Sequence, residues 1–173
     1  MPAFDTRPFA LRPRAAGLAA AVLLLGAALL PAQTVPPDQA ADMLLTAAKN
    51  AYNAKDYSFA AGRFREFLQK YGNHKDAASA HYGLALSILD GPDKDYNAAA
   101  AELQPLAGAK ESQDYPFYLY YLGLAERGQG VKALAQIAAK PNEAPQLREQ
   151  ARGRFDEAAK QFAAALAAFS ARV

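Results

Sequence analysis

The chain contains no cysteine. That excludes disulfides, thiolate metal sites and cysteine nucleophiles, and it rules out lipid attachment at a signal-peptide cysteine. β-Branched residues are few, which argues against a sheet. An excess of one charge is also missing. The 173 residues carry a formal charge of +2. Setting aside positions 1–32 removes Arg7, Arg12 and Arg14 from the 19 basic residues and Asp5 from the 17 acidic ones, leaving 16 of each. No basic stripe remains to follow a phosphate backbone, so nucleic acid is not expected as a partner.

Catalytic and metal signatures are equally scarce. There is no phosphate loop, no G-x-S-x-G and no serine–histidine motif. Asp90, Asp93 and Asp95 faintly resemble a calcium loop, but the glycine at its sixth position and the glutamate at its twelfth are absent. The two histidines, His74 and His81, stand two helical turns apart. That spacing can share a helix face, yet His74 falls in the turn around Tyr71-Gly72-Asn73, and no carboxylate beyond Asp76 is near in sequence. Both histidines are therefore expected to be solvent-exposed. Gly128-Gln129-Gly130 reads as a break after a helix. The expectation is a protein without enzymatic activity, cofactor or metal.

Alanine dominates what is present. It accounts for much of the 52% hydrophobic content, and as the best helix former and smallest packing residue it favours helices in close contact. At the start, Arg7, Arg12 and Arg14 precede an uncharged run from Ala15 to Leu30, followed by Pro31, Ala32 and polar Gln33. This is the layout of a signal peptide over residues 1–32, cleaved after Ala32. An uncleaved membrane anchor is the alternative, although a spanning helix needs roughly 20 apolar residues. Either way the remainder is expected outside the cytoplasm, periplasmic or secreted. Residues 33–38 read as a linker with Asp38 as N-cap of the first helix, and residues 39–173 form the body.

The body repeats itself. Lys55-Asp56-Tyr57 with Ala60-Ala61 recurs as Lys94-Asp95-Tyr96 with Ala99-Ala100. At nearly the same interval, Tyr82-Gly83-Leu84-Ala85 recurs as Leu122-Gly123-Leu124-Ala125. Each unit reads as two helices. The first carries a small residue, Ala48, Gly83 or Gly123. The second begins at an aromatic, Tyr57, Tyr96 or Phe155, followed by Ala60, Ala99 or Ala158 and then by Phe64, Leu103 or Phe162. Offsets of three and four keep these on one face, small against large, as stacked helix pairs require. Val131 to Gly153 interrupts the third unit, so the last two helices are expected to be long, near 117–139 and 144–170.

These features resemble the tetratricopeptide repeat, a unit of about 34 residues. Leu119-x-x-Leu122-Gly123 is similar to its W-x-x-L-G element, and Asp56-Tyr57-x-x-Ala60-x-x-x-Phe64-x-x-Phe67 to its second helix. Phe64-x-x-Phe67-Leu68 with Lys70-Tyr71-Gly72-Asn73 also resembles exported bacterial members. The resemblance spans roughly residues 40–170 and implies an all-α solenoid of about three helical hairpins. First helices of such arrays line a concave groove that binds peptide or protein. By that resemblance the groove would include Lys49, Tyr52, Asn53, Leu84, Ser87, Phe117, Tyr120, Leu124 and Arg127, with Phe117 and Tyr120 supplying contact area and Lys49 and Arg127 orienting the ligand; the competing reading of the aromatic run from Tyr115 to Leu122 is core, buried by the next helix. The implied function is a non-catalytic extracytoplasmic scaffold for an unidentified protein or peptide partner. The alternative is a packing or self-association module, or the N-terminal part of a longer repeat protein. Membrane contact is expected only through the leader, if it is uncleaved.

Overall fold

A computed structural model describes residues 36–172; the leader and residues 33–35 lie outside the described residues. The described chain is helical, with no strand among the described residues. Six α-helices follow in order: α1 (Pro37–Asn53), α2 (Tyr57–Tyr71), α3 (Ala77–Asp90), α4 (Tyr96–Leu103), α5 (Tyr115–Ala135) and α6 (Ala144–Ser170). Each packs on its neighbour in the chain, and α1 also touches α3, as α3 touches α5.

The recurring Lys-Asp-Tyr triplets are helix starts. Lys55 and Lys94 adopt left-handed backbone, with φ of 64° and 42°, a conformation that costs a non-glycine residue roughly 1–2 kcal/mol. The aspartate that follows recovers part of that cost by capping. The Asp56 carboxylate accepts the Phe59 N–H at 3.2 Å, and that of Asp95 accepts the Asn97 and Ala98 N–H groups at 3.1 Å. Tyr57 and Tyr96 are then the first helical residues. Asp56→Ala and Asp95→Ala should each lower stability by about 1 kcal/mol, measured by urea denaturation. A Lys55→Ala control should leave the caps intact.

Two contiguous cores result. In the first, Phe64 and Phe67 of α2 pack with Leu45 of α1 and Leu84 of α3 among small alanines. In the second, Leu103, Leu106, Tyr118 and Leu122 pack with Ala85, Ala99 and Ala125. The small positions are set by rings rather than by backbone approach alone. A side chain at Gly83 would overlap the buried Phe64 ring; at Gly123 it would meet Phe162, at Gly128 Tyr96, and at Gly130 Phe155.

Several expectations are corrected. α1 begins at Pro37, so Asp38 lies in its first turn rather than at the cap; proline at N1 loses nothing, because that N–H would be unpaired. Gly128-Gln129-Gly130 does not end a helix. α5 continues to Ala135, because the two glycines sit where rings from α4 and α6 press against it. Phe155 does not start a helix either; it lies midway along α6. α5 runs from Tyr115 to Ala135 rather than over 117–139, while α6 matches the expected 144–170. α4 is a short helix that ends at Leu103 and passes into a 3₁₀ turn, Gln104–Gly108. Pro105, lacking an N–H, cannot continue the α ladder, yet the turn still delivers Leu106 to the core.

Candidate functional site

The face shared by α1, α3 and α5 holds two neighbouring cavities. The first, of about 290 Å³, is lined by Lys49, Tyr52 and Asn53 of α1 with Tyr82 and Leu86 of α3. The second, of about 360 Å³, is lined by Leu89 and Asp90 of α3 and by Tyr121, Leu124 and Arg127 of α5. Five of the nine groove residues inferred from sequence therefore stand on one surface: Lys49, Tyr52, Asn53, Leu124 and Arg127.

The other four do not. Leu84 and Ser87 are each only 2% exposed. Leu84 is part of the first core, and the Ser87 hydroxyl donates to the Gly83 carbonyl one turn back, at 2.7 Å. Neither lines these two cavities. Phe117 and Tyr120 line neither cavity; each is 42% exposed and touches α6. The Phe117 ring meets Phe169 edge-on at 5.0 Å, and Tyr120 meets Phe162 at 5.8 Å. Their aromatic area serves the α5–α6 seam, although Tyr120 also touches Tyr121 at 5.2 Å.

The displacement on α3 has a geometric cause. Matching Ala48 with Gly83 carries Lys49 onto Leu84 and Tyr52 onto Ser87. The lining residues are Gly83 and Leu86 instead, each one position earlier. One residue turns a helix face by about 100°, enough to exchange groove for core. A shift of 34 residues carries Lys49 onto Gly83 and Tyr52 onto Leu86, two residues that line the cavity.

Tyrosines and carboxylates define the chemistry of this face. The Tyr52 hydroxyl donates to Asp90 Oδ2 at 2.6 Å, joining α1 to the end of α3. Tyr82 packs edge-on against Tyr118 at 5.1 Å and Tyr121 at 5.8 Å. Burial raises the Tyr52 hydroxyl pKa above its ordinary value, and the bond to Asp90 raises it further. Burial also raises Tyr82, reinforced by the adjacent Tyr121 and by Asp114, and it raises Tyr121, reinforced by Asp90 and Tyr120. The surface thus offers neutral phenols, two carboxylates (Asp90 and Asp114) and the cations Lys49 and Arg127. Rings for contact and charges of both signs for orientation suit recognition of an extended polar ligand.

The raised hydroxyls make a pH prediction. Above pH 10.0, the ordinary tyrosine value, the unfolded chain loses these protons while the folded chain keeps them. The contribution to stability is therefore full below that pH and lost as pH rises towards the folded values. Ultraviolet titration should show Tyr52, Tyr82 and Tyr121 lagging until the chain unfolds. Tyr52→Phe should remove one of them. Nine tyrosines titrating together in the folded protein would contradict this.

The histidines are not the exposed pair expected. His81 Nδ1 lies 2.6 Å from Glu102 Oε2, joining α3 to α4. The His74 side chain is only 12% exposed. Its ring stands edge-on to Phe67 at 5.8 Å. Carboxylates do gather at His74: besides Asp76, the fold brings Asp42 of α1 to it. Nothing local in the sequence signals that approach, because the whole of α2 separates Asp42 from His74 along the chain.

No family model, curated protein or solved structure matches this chain. No helix among the described residues is long and apolar enough to cross a membrane.

Proposed function

We propose that this chain is a non-catalytic scaffold of the tetratricopeptide-repeat type, exported from the cytoplasm, that holds a peptide or protein segment on the face shared by α1, α3 and α5. One observation carries the reading. Alternate helices of the chain, those that open each sequence repeat, jointly line two adjoining cavities rich in tyrosine and charge. Successive hairpins with a small residue packed under a ring support the repeat assignment, as do the paired Lys-Asp-Tyr helix starts. The positive, apolar and small-residue layout of residues 1–32 supports export.

A photo-crosslinking residue placed at Asn53 or Leu86 tests the binding face. Both positions line the first cavity. Each should capture one common partner in the compartment where the chain resides, and Leu124→Ala should weaken that capture by about tenfold or more, the range of a modest hot spot. The same crosslinker at Ala159, exposed on α6, should not capture it. Capture from Ala159 alone would reject the groove. The mass of the mature chain tests export: it should begin at Gln33.

A second reading, a packing module, has its own observation. α6 exposes Ala163, Ala164, Leu166 and Ala167, and Leu166 is 68% exposed. A mass that rises with concentration and reverts in Leu166→Lys would favour it.

A further inference from the structure

We propose that a divalent transition-metal ion, with Zn²⁺ the best fit, binds where the first turns of α1 meet the α2–α3 turn, held by His74, Asp42 and Asp76 with Asp38 beside them. This site is separate from the groove and independent of its function. One nitrogen of His74 and one oxygen each of Asp42 and Asp76 already lie within 4.8 Å of one another. Ligand atoms around a tetrahedral zinc ion, with bonds of about 2.0–2.1 Å, stand about 3.4 Å apart. His74 Nδ1 and Asp76 Oδ2 are 3.4 Å apart in this structure. The remaining separations close with side-chain rotation of Asp42, which is exposed.

Three features favour an ion over a chance gathering. The first is that the imidazole is positioned. Its ring is mostly buried against Phe67, which is itself fully buried, and its backbone is tied to the turn, the His74 N–H donating to the Tyr71 carbonyl at 2.9 Å and its own carbonyl accepting from Ala77 at 3.0 Å. Asp76 supplies the second. It occupies the N-cap position of α3 but makes no side-chain cap bond, so its carboxylate faces His74 instead of the helix. Charge is the third. Asp38 and Asp42 are one turn apart on α1, a spacing at which like charges repel. Among the described residues, no lysine or arginine forms an ion pair with Asp38, Asp42 or Asp76.

The donor set chooses the metal. Imidazole with carboxylates suits zinc or a neighbouring transition ion, whereas calcium takes six to eight oxygen ligands. His74 Nδ1 accepts the Asp76 backbone N–H at 3.3 Å, a contact that an ion held between Nδ1 and the Asp76 carboxylate would replace, and Nε2 then faces Asp38 at 4.0 Å. A carboxylate on the far nitrogen orients the ring and raises its basicity. An ion bound here would tie the start of α1 to the α2–α3 turn and brace the first hairpin.

The test is titration of the untagged full chain, stripped with chelator, with Zn²⁺ alone, followed by calorimetry and thermal unfolding. The expected result is one Zn²⁺ per chain and a raised midpoint of unfolding, with no comparable effect of Mg²⁺ or Ca²⁺. Asp42→Asn, an exposed substitution that leaves the fold untouched, should weaken binding about tenfold or more. His74→Gln should abolish it. Co²⁺ in place of Zn²⁺ should give visible absorption bands that His74→Gln removes. Absence of Zn²⁺ binding, or binding unchanged in both variants, would overturn the site.

Discussion

Gly83→Ala is expected to destabilise the protein by about 1–2 kcal/mol, and the same substitution is expected to stabilise it once Phe64 has become alanine. In an exposed helix the exchange of glycine for alanine gains about 1 kcal/mol. At Gly83 the new methyl would fall among three atoms of the Phe64 ring. That ring is 2% exposed, in a core it shares with Phe67 and Leu84, so the methyl fits only if the ring shifts and disturbs that packing. Overpacking of this kind costs about 1–3 kcal/mol and outweighs the helical gain. Phe64→Ala alone should cost about 3–5 kcal/mol through lost burial and the cavity left behind. With the ring gone, the Gly83 methyl meets empty space and fills part of it, so its sign reverses. Gly62→Ala in α2 is the control, since a side chain there would meet nothing within 4 Å; it should stabilise in either background. Urea denaturation of the four combinations measures the coupling. Additive effects would mean that the ring does not occupy the Gly83 slot.

That pair also shows what could be read from the chain and what could not. Small-against-large spacing alone places Gly83 and Phe64 in facing roles, as it does Gly123 and Phe162. The partners nevertheless come from different directions. Phe64 reaches Gly83 from the helix before it, whereas Phe162 reaches Gly123 from the helix after it. Gly128 and Tyr96 make the α4–α5 contact that corresponds to the first pair. α5 thus receives rings on two sides and needs more than one glycine, which is why Gly128-Gln129-Gly130 reads locally as a break and is in fact a packing surface. The helix starts at Tyr57 and Tyr96 are legible because they are local, but the caps at Asp56 and Asp95 go unread, the cap expected at Asp38 lies inside α1, and Phe155 falls mid-helix because α6 begins at Ala144. Tyr52 with Asp90, and Asp42 with His74, were not legible, because their meeting depends on how α1 lies against α3 and against the turn before it. The expected groove lies in between: Lys49, Tyr52 and Asn53 of α1 and Leu124 and Arg127 of α5 line the cavities, whereas on α3 the lining falls one position before the expected residues. Phe117 and Tyr120 belong to the groove by the family resemblance alone; in the structure they touch Phe169 and Phe162 of α6, as the competing reading of that run as core would have it, while each stays 42% exposed.

Arg154→Met should cost about 2 kcal/mol, while the double variant Glu126→Leu/Arg154→Met should be close to wild type. Glu126 lies on α5 with its side chain 11% exposed, and its carboxylate accepts from Arg154 of α6 at 2.9 Å. Removing the guanidinium alone strands a carboxylate in a site that water reaches poorly. For a fully buried pair that loss runs about 3–5 kcal/mol. Here the Arg154 side chain is 42% exposed, so solvent relieves part of it. Glu126→Leu alone should be milder, since Arg154 can turn its charged end outward while its stem stays packed. Replacing both removes the desolvation cost together with the attraction, which is why apolar substitutes for buried pairs are often neutral. Four denaturation curves decide the matter. Equal losses from the two single variants, or a double variant as unstable as their sum, would show that Glu126 is not desolvated by α6. The consequence extends to the groove. α5 presents Tyr121, Leu124 and Arg127 on one side and takes α6 on another through Gly123, Gly130 and Glu126. If the pair chiefly sets how α6 seats, Arg154→Met should loosen α6 and leave the Tyr52–Asp90 contact across α1 and α3 unchanged, so the titration lag of Tyr52 should persist in that variant.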